Sequence, residues 1–187
     1  MTTKKNIDTM LAKEFGTHNV LAVPHVKKIS VSVGIGSSVA QGNKDYTYVE
    51  KSLAEITGQK ASLRKAKKAI SNFKLRKGLP VGLVVTLRKN KMNDFLIRLV
   101  NIALPRVRDF RGISAKGFDG QGNYSLGLED CTIFPEVAQD SLVKTHGLQV
   151  NVSTSAKTNR EGYLLLKALG FPFRDEVRED GKVGKKS

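Results

Sequence analysis

Apolar and polar residues alternate most cleanly after Pro24, where "KKISVSVGIG" sets Ile29, Val31, Val33 and Ile35 against Ser30 and Ser32. A period of two predicts a strand with one face buried and a small, hydroxylated face left open. "VGLVVTLRK" repeats the pattern, with Leu83, Val85 and Leu87 opposite Val84 and Thr86. Later strands are predicted at Tyr124–Leu128 and Leu148–Thr154, and a short one within Lys60–Ala66. Helical spacing replaces alternation elsewhere. Ile7, Met10, Leu11 and Phe15 predict a short helix over Asn6–Phe15, and Tyr46, Val49, Leu53 and Ile56 predict one stopping at Gly58. Met92, Phe95, Leu96, Leu99, Val100 and Ala103 form a broad stripe that Asn90 is placed to cap. In the last helix Thr158 and Glu161 fit a capping box, with Gly170 at the stop and Pro172 beyond it. This mixture predicts an α+β fold, an antiparallel sheet with helices packed mainly on one face. Residues 1–173 are read as a single domain, and 174–187 as a charged, mobile tail.

Charge sharpens this picture. The net charge is +15. Residues 60–116 hold 16 basic side chains against Asp94 and Asp109, so almost all of the excess sits in the middle third. "RKAKKAISNFKLRKG", residues 64–78, has seven lysines and arginines and no acid. A solvated helical face mixes signs; a single-sign run attracts a polyanion, nucleic acid first and an anionic membrane second. Gly78, Pro80 and the broken spacing of Ile70, Phe73 and Leu75 argue against an amphipathic membrane helix. No apolar run approaches the ~20 residues that span a bilayer. The N-terminal segment lacks the continuous apolar stretch of a secretory leader. With 6% aromatics and no tryptophan, recognition of RNA backbone and shape fits better than an extensive stacking platform. Phe73 and Phe110 are expected first in the core, the alternative being contact with a base or ribose.

Catalysis finds no foothold. Gly34-Ile35-Gly36 follows a strand, but Val39 stands where a dinucleotide fingerprint needs its third glycine. His18, His25 and His146 lack paired metal-ligand spacing and read as surface residues. Cys131, the one cysteine, has no basic neighbour in sequence and reads as a small, half-buried side chain. Asp119 in "GFDGQGNY" lacks the companion carboxylates of a calcium loop and reads as part of a turn. No metal, cofactor or enzymatic activity is expected. Two rivals stand beside a structural RNA-binding role: an RNA chaperone or assembly factor that acts free of any stable particle, and an RNA-processing activity built from distant acids and histidines.

The stretches "ITGQKASLRKAKKAISNFKLRKGLPVGLVVTLR", "IALPRVRDFRGISAKGFDGQGNYSLG", "IFPE" and "ALGFPF" closely resemble the bacterial-type family of large ribosomal subunit protein five, the 5S rRNA-binding protein. The resemblance runs from about Phe15 to Phe173. It implies an α+β fold with a basic projecting loop, in the central protuberance of the cytoplasmic ribosome. Its implied partners are 5S rRNA, 23S rRNA, neighbouring central-protuberance proteins, the elbow of P-site tRNA and a protein of the small-subunit head. It implies no membrane and no catalysis. Carried over by position, Gln59 and Thr86 match 5S rRNA-binding positions, while Ser32 stands where the family usually has asparagine. Lys60, Arg64 and Arg88 supply phosphate charge beside them. Lys67–Gly78 matches the tRNA-contacting loop, with Lys67, Lys68, Asn72, Lys74, Arg76 and Lys77 as its contacts. Ser62 and Arg64 depart from the family's usual apolar and small hydroxyl residues. Arg64 adds charge, and Ser62 is expected to give up apolar burial. "RVRDFRG" is expected near rRNA or a neighbouring protein, and Pro135–Gly147 near the small-subunit contact.

Overall fold

The structure, a computed structural model, describes residues 19–36, 39, 46–73, 75–137, 145–177 and 183–185. The helix expected over Asn6–Phe15 lies outside them. Strands β1 (Val26–Gly34), β2 (Ser62–Lys65), β3 (Pro80–Leu87), β4 (Tyr124–Leu128) and β5 (Leu148–Thr154) form an antiparallel sheet in the order β2-β3-β1-β5-β4. With helices α1 (Thr47–Thr57), α2 (Lys89–Arg98) and α3 (Asn159–Ala168), this is the α+β fold the periodicities predict. The chain divides into two compact units. One comprises Met1–Lys28, Arg108–Leu126 and Asn151–Ser187, the other Ile29–Val107 and Gly127–Val150.

In the unit built on Ile29–Val107, β1 and β3 pair so that Ile29 faces Leu87, Val31 faces Val85 and Val33 faces Leu83. All six are buried, as a two-residue period requires when one face meets a core. Helix α1 packs on β3 and on α2, burying Val49, Leu53 and Ile56. It stops at Gly58, whose left-handed φ of 65° lets its N–H donate to the Ala54 carbonyl at 2.8 Å. The α2 boundary differs from expectation. Arg88, still extended, is the residue before the helix, and Asn90 already lies inside it. The reason is that β3 feeds α2 with no intervening loop. Beyond Arg98 the helix widens into a π turn, Leu99–Ala103, and then a short 3-10 turn, Leu104–Arg106. The wider turn keeps Leu99, Ala103 and Leu104 all buried and leaves Val100 only half-buried.

The other unit is organised by aromatic rings. Phe118 lies 4.8 Å from Tyr124, and Tyr163 lies 4.9 Å from Phe173, centroid to centroid. The Tyr124 hydroxyl donates to the Ser114 carbonyl at 2.8 Å. Burial pushes the Tyr124 phenol up to about 12, against the opposing pull of the Arg174 charge. The unfolded chain therefore releases this proton first, and stability falls as pH rises from about 10 toward 12. In thermal melts at about pH 9 and about pH 11, the wild type should lose more of its melting temperature than Tyr124→Phe does. Equal losses would mean that Tyr124 does not drive the alkaline transition.

Helix α3 carries the expected cap: Thr158 Oγ1 accepts from the Glu161 N–H at 3.3 Å. Glu161 Oε2 reaches back one residue further than a standard capping box, accepting from the Lys157 N–H at 2.8 Å. Asp119 serves its own turn. Burial raises its carboxyl, but hydrogen bonds from the Asn123 side chain and from the Gln121 and Asn123 N–H groups hold it below the usual value. The segment read as a mobile tail contains a strand pair, β6 (Asp175–Val177) with β7 (Val183–Lys185). Val177 is buried against Ala115 and Tyr163, so one of the two valines in this charged segment anchors it.

Candidate nucleic-acid interface

Opposite the buried row of β1 and β3 lies a face of small side chains. The register places Ser30 beside Thr86, Ser32 beside Val84 and Gly34 beside Gly82. Strand β2 continues two of these rows, Ser62 beside Val84 and Arg64 beside Gly82, before its register shifts between Arg64 and Lys65. Four hydroxyls and two glycines make a shallow floor. An RNA strand can approach such a floor closely, and its riboses and base edges can exchange hydrogen bonds with the hydroxyls.

Gln59 joins this floor from the α1–β2 connection. Its Nε2 donates to the Thr86 carbonyl at 3.3 Å, which holds the side chain at the edge of the face. Lys60 precedes β2 and Arg88 follows β3, so antiparallel pairing puts both at the same end of the sheet, and both are exposed. Lys91, from α2, reaches the same end and donates to the Gly58 carbonyl at 2.9 Å. Ser32, Gln59, Thr86, Lys60 and Arg88, singled out by sequence, thus share one region with Arg64 on its outer strand. Ser30 and Ser62 were missed as members. Alternation alone could have found Ser30; Ser62 needed the β2–β3 register. The expectation that Ser62 gives up apolar burial is overturned, because the position is exposed on the open face.

Strand β2 leads into β3 through a hairpin-like extension. The Ala66 N–H donates to Leu79 O at 2.8 Å and the Gly78 N–H to Ala66 O at 2.9 Å, which closes its base. Farther out, Ile70 and Leu75 exchange two backbone hydrogen bonds, at 3.0 and 3.1 Å, around a 3-10 turn at Ser71–Phe73. Lys67, Lys68, Asn72, Arg76 and Lys77 are all exposed along this extension; Lys74 lies outside the described residues. The run 64–78 contributes no acid of its own, so its charges add with one sign. Phe73 corrects an expectation. It is 67% exposed, not in the core, because the Ile70–Leu75 pair carries it to the tip of the extension. Phe110 is half-buried.

The histidine and cysteine readings also change. His146 is half-buried, with Nε2 3.3 Å from Ser52 Oγ and Nδ1 3.6 Å from Cys131 Sγ. Cys131 is fully buried, at 2% exposure, next to a basic neighbour that lies 15 positions away in sequence. A thiol so enclosed cannot meet a substrate, and the trio reads as packing joined by hydrogen bonds. His25 is exposed, its ring 3.1 Å from Ser155 Oγ, and His18 lies outside the described residues. Within Pro135–Gly147, Pro135 is exposed, Val137 is buried and Glu136 forms an ion pair with Arg98. Residues 138–144 lie outside the described residues.

Two family models match the chain in tandem. One, described as ribosomal protein L5, covers residues 19–76, and the other, describing the C-terminus of the same ribosomal family, covers residues 80–173. Among similar proteins, the large ribosomal subunit protein uL5 of Geobacter sulfurreducens is 54% identical over 170 residues, 91% of this chain and 94% of the relative. The uL5 proteins of Geotalea uraniireducens and Bdellovibrio bacteriovorus are 50% and 51% identical, each across 91% of this chain and 95% and 94% of their own. An antiparallel α+β scaffold, a basic extension and matches of this extent converge on one assignment: the chain belongs to the bacterial-type ribosomal L5 family, uL5, structural and non-enzymatic proteins of the large ribosomal subunit.

Proposed function

We propose that the open face of β1, β2 and β3 binds 5S rRNA, and that the basic extension contacts the elbow of P-site tRNA. Ser32, Gln59 and Thr86 would exchange hydrogen bonds with riboses or base edges, while Lys60, Arg64 and Arg88 neutralise phosphates. Lys67, Lys68, Asn72, Lys74, Arg76 and Lys77 would follow the tRNA backbone, a contact suited to a surface that meets every tRNA in turn. In this reading the protein sits in the central protuberance of the cytoplasmic ribosome, beside 23S rRNA and other proteins of that region. The stretch Pro135–Gly147 would approach the small-subunit head. Residues 1–173 would act as one ribosomal-protein domain with 174–187 as an appendage; the C-terminal family model ending at residue 173 supports that boundary.

The observation that carries the reading is the juxtaposition of a sheet face bearing four hydroxyls with the acid-free run at 64–78. Binding of the purified protein to its own 5S rRNA, against a tRNA competitor across a salt series, tests it. Affinity that survives both the competitor and ~200 mM salt marks a specific site beyond counterion release. Equal collapse for both RNAs would defeat the proposal. Replacing Gln59 and Thr86 together, with alanine and valine, should weaken 5S binding by about 1–3 kcal/mol, the scale of a good specific contact in the DNA case. No loss would remove these two residues from the site.

A further inference from the structure

The tip of the basic extension ends in hydrocarbon, where a contact made of charge alone would need none. Phe73 is 67% exposed and Ile70 45%, and Phe73 is the one aromatic among the exposed large hydrophobic side chains of the described residues. The tip is also built. Paired backbone hydrogen bonds between Ile70 and Leu75 bracket the 3-10 turn that bears Phe73. Lys67, Lys68, Arg76 and Lys77, all exposed, flank it on a run that contains no acid. An exposed ring inside such a field suits a polyanion that also offers a flat apolar surface, and nucleic acid has both.

We infer that Phe73, supported by Ile70, stacks on an accessible base plane at the surface of the folded RNA that this extension meets. The inference rests on the RNA-contact reading above and adds a second kind of interaction to it. Phosphate neutralisation releases counterions and weakens steeply with salt, whereas stacking does not. Every base presents a π face, so the contact adds affinity without choosing among tRNA sequences. A short extension with a single ring also differs from an amphipathic membrane helix, which needs an apolar face running over several turns.

The experiment uses the full-length protein, a folded elongator tRNA transcript and a salt titration. Phe73→Ala should weaken binding about tenfold at every salt concentration and leave the slope of log K against log salt unchanged. Phe73→Tyr should restore affinity, and Phe73→Leu should not. Lys67→Ala with Lys68→Ala should instead lower the slope by about 1.4–1.8, at 0.7–0.9 per lost phosphate contact. The wild-type chain has no tryptophan, so Phe73→Trp installs a single local probe. Its fluorescence should be quenched when RNA saturates the protein. An unquenched tryptophan, or full rescue by leucine, overturns stacking. If the lysine pair lowers the slope while Phe73→Ala does nothing, the inference fails and the RNA-contact reading stands. If neither variant matters, that reading fails for this extension as well. Phe73-dependent capture by vesicles of phosphatidylglycerol and phosphatidylcholine, without tRNA quenching, would reassign the tip to a membrane.

Discussion

Alanine at Lys67, Lys68, Lys74, Arg76 and Lys77 should abolish most of the tRNA engagement while leaving 5S rRNA binding nearly intact. Each lost phosphate contact removes about 0.7–0.9 from the salt slope, so five contacts remove about 3.5–4.5. At 0.1 M salt that corresponds to roughly four decades in affinity when all five contacts form. The separation of effects follows from the fold. The four of these residues that the structure describes lie beyond the Ala66–Leu79 closure and are exposed. Ser32 and Thr86 lie within strands whose register depends on the buried rows Val31–Val85 and Ile29–Leu87. Removing surface charge from the extension leaves those rows untouched. Chemical footprinting of P-site tRNA on ribosomes carrying the variant, alongside 5S binding by the free protein, measures both halves. A tRNA footprint equal to wild type would sink the assignment of this extension.

Gly162→Ala is expected to destabilise the protein by about 2 kcal/mol, although alanine is the better helix former. In a helix interior the change from glycine gains about 1 kcal/mol from propensity. Here the added Cβ would sit 2.5 Å from the Gly122 carbonyl oxygen and 2.9 Å from its Cα. Those atoms are backbone, so no rotamer change relieves the overlap. Overpacking of this kind costs about 1–3 kcal/mol, and a backbone neighbour puts it at or beyond the upper end. The Gly122 turn cannot retreat easily. Its N–H donates to Asn159 Oδ1 at 3.2 Å, and its carbonyl accepts from Thr154 Oγ1 at 2.9 Å. Gly122 also holds a φ of 77°, and a Cβ there would lie 2.7 Å from that of Ala156. Gly127→Ala, with nothing within 4 Å of its added carbon, is the control. Urea melts of the three proteins decide the matter: a Gly162→Ala variant as stable as wild type would show that α3 and the turn separate at little cost.

These two sites also differ in how visible they are without coordinates. Gly162 lies in the first turn of a well-capped helix, and its sequence context says only that alanine would suit it better. The close approach of Gly122, forty positions earlier, reverses that judgement. Phe73 shows the same thing at the candidate interface. An aromatic among apolar neighbours is reasonably expected in a core, yet the Ile70–Leu75 pairing holds it out in solvent. Ser62 reads as lost burial until its pairing with Val84 assigns it to the open face. His146 and Cys131 read as unrelated until the fold sets them 3.6 Å apart.

Features governed by neighbours within a turn or two are legible in the chain before it folds. The alternation through Ile29, Val31 and Val33 specified β1 and its buried side, and Thr158 with Glu161 specified the start of α3. The acid-free run at 64–78 specified where a polyanion would be drawn, because charge density is a property of composition. Folding alone settled which strands lie side by side, in what register, and which side chains they lift away from the core. Those outcomes depend on pairings between segments tens of residues apart, where a shift of one residue moves every side chain to the opposite face.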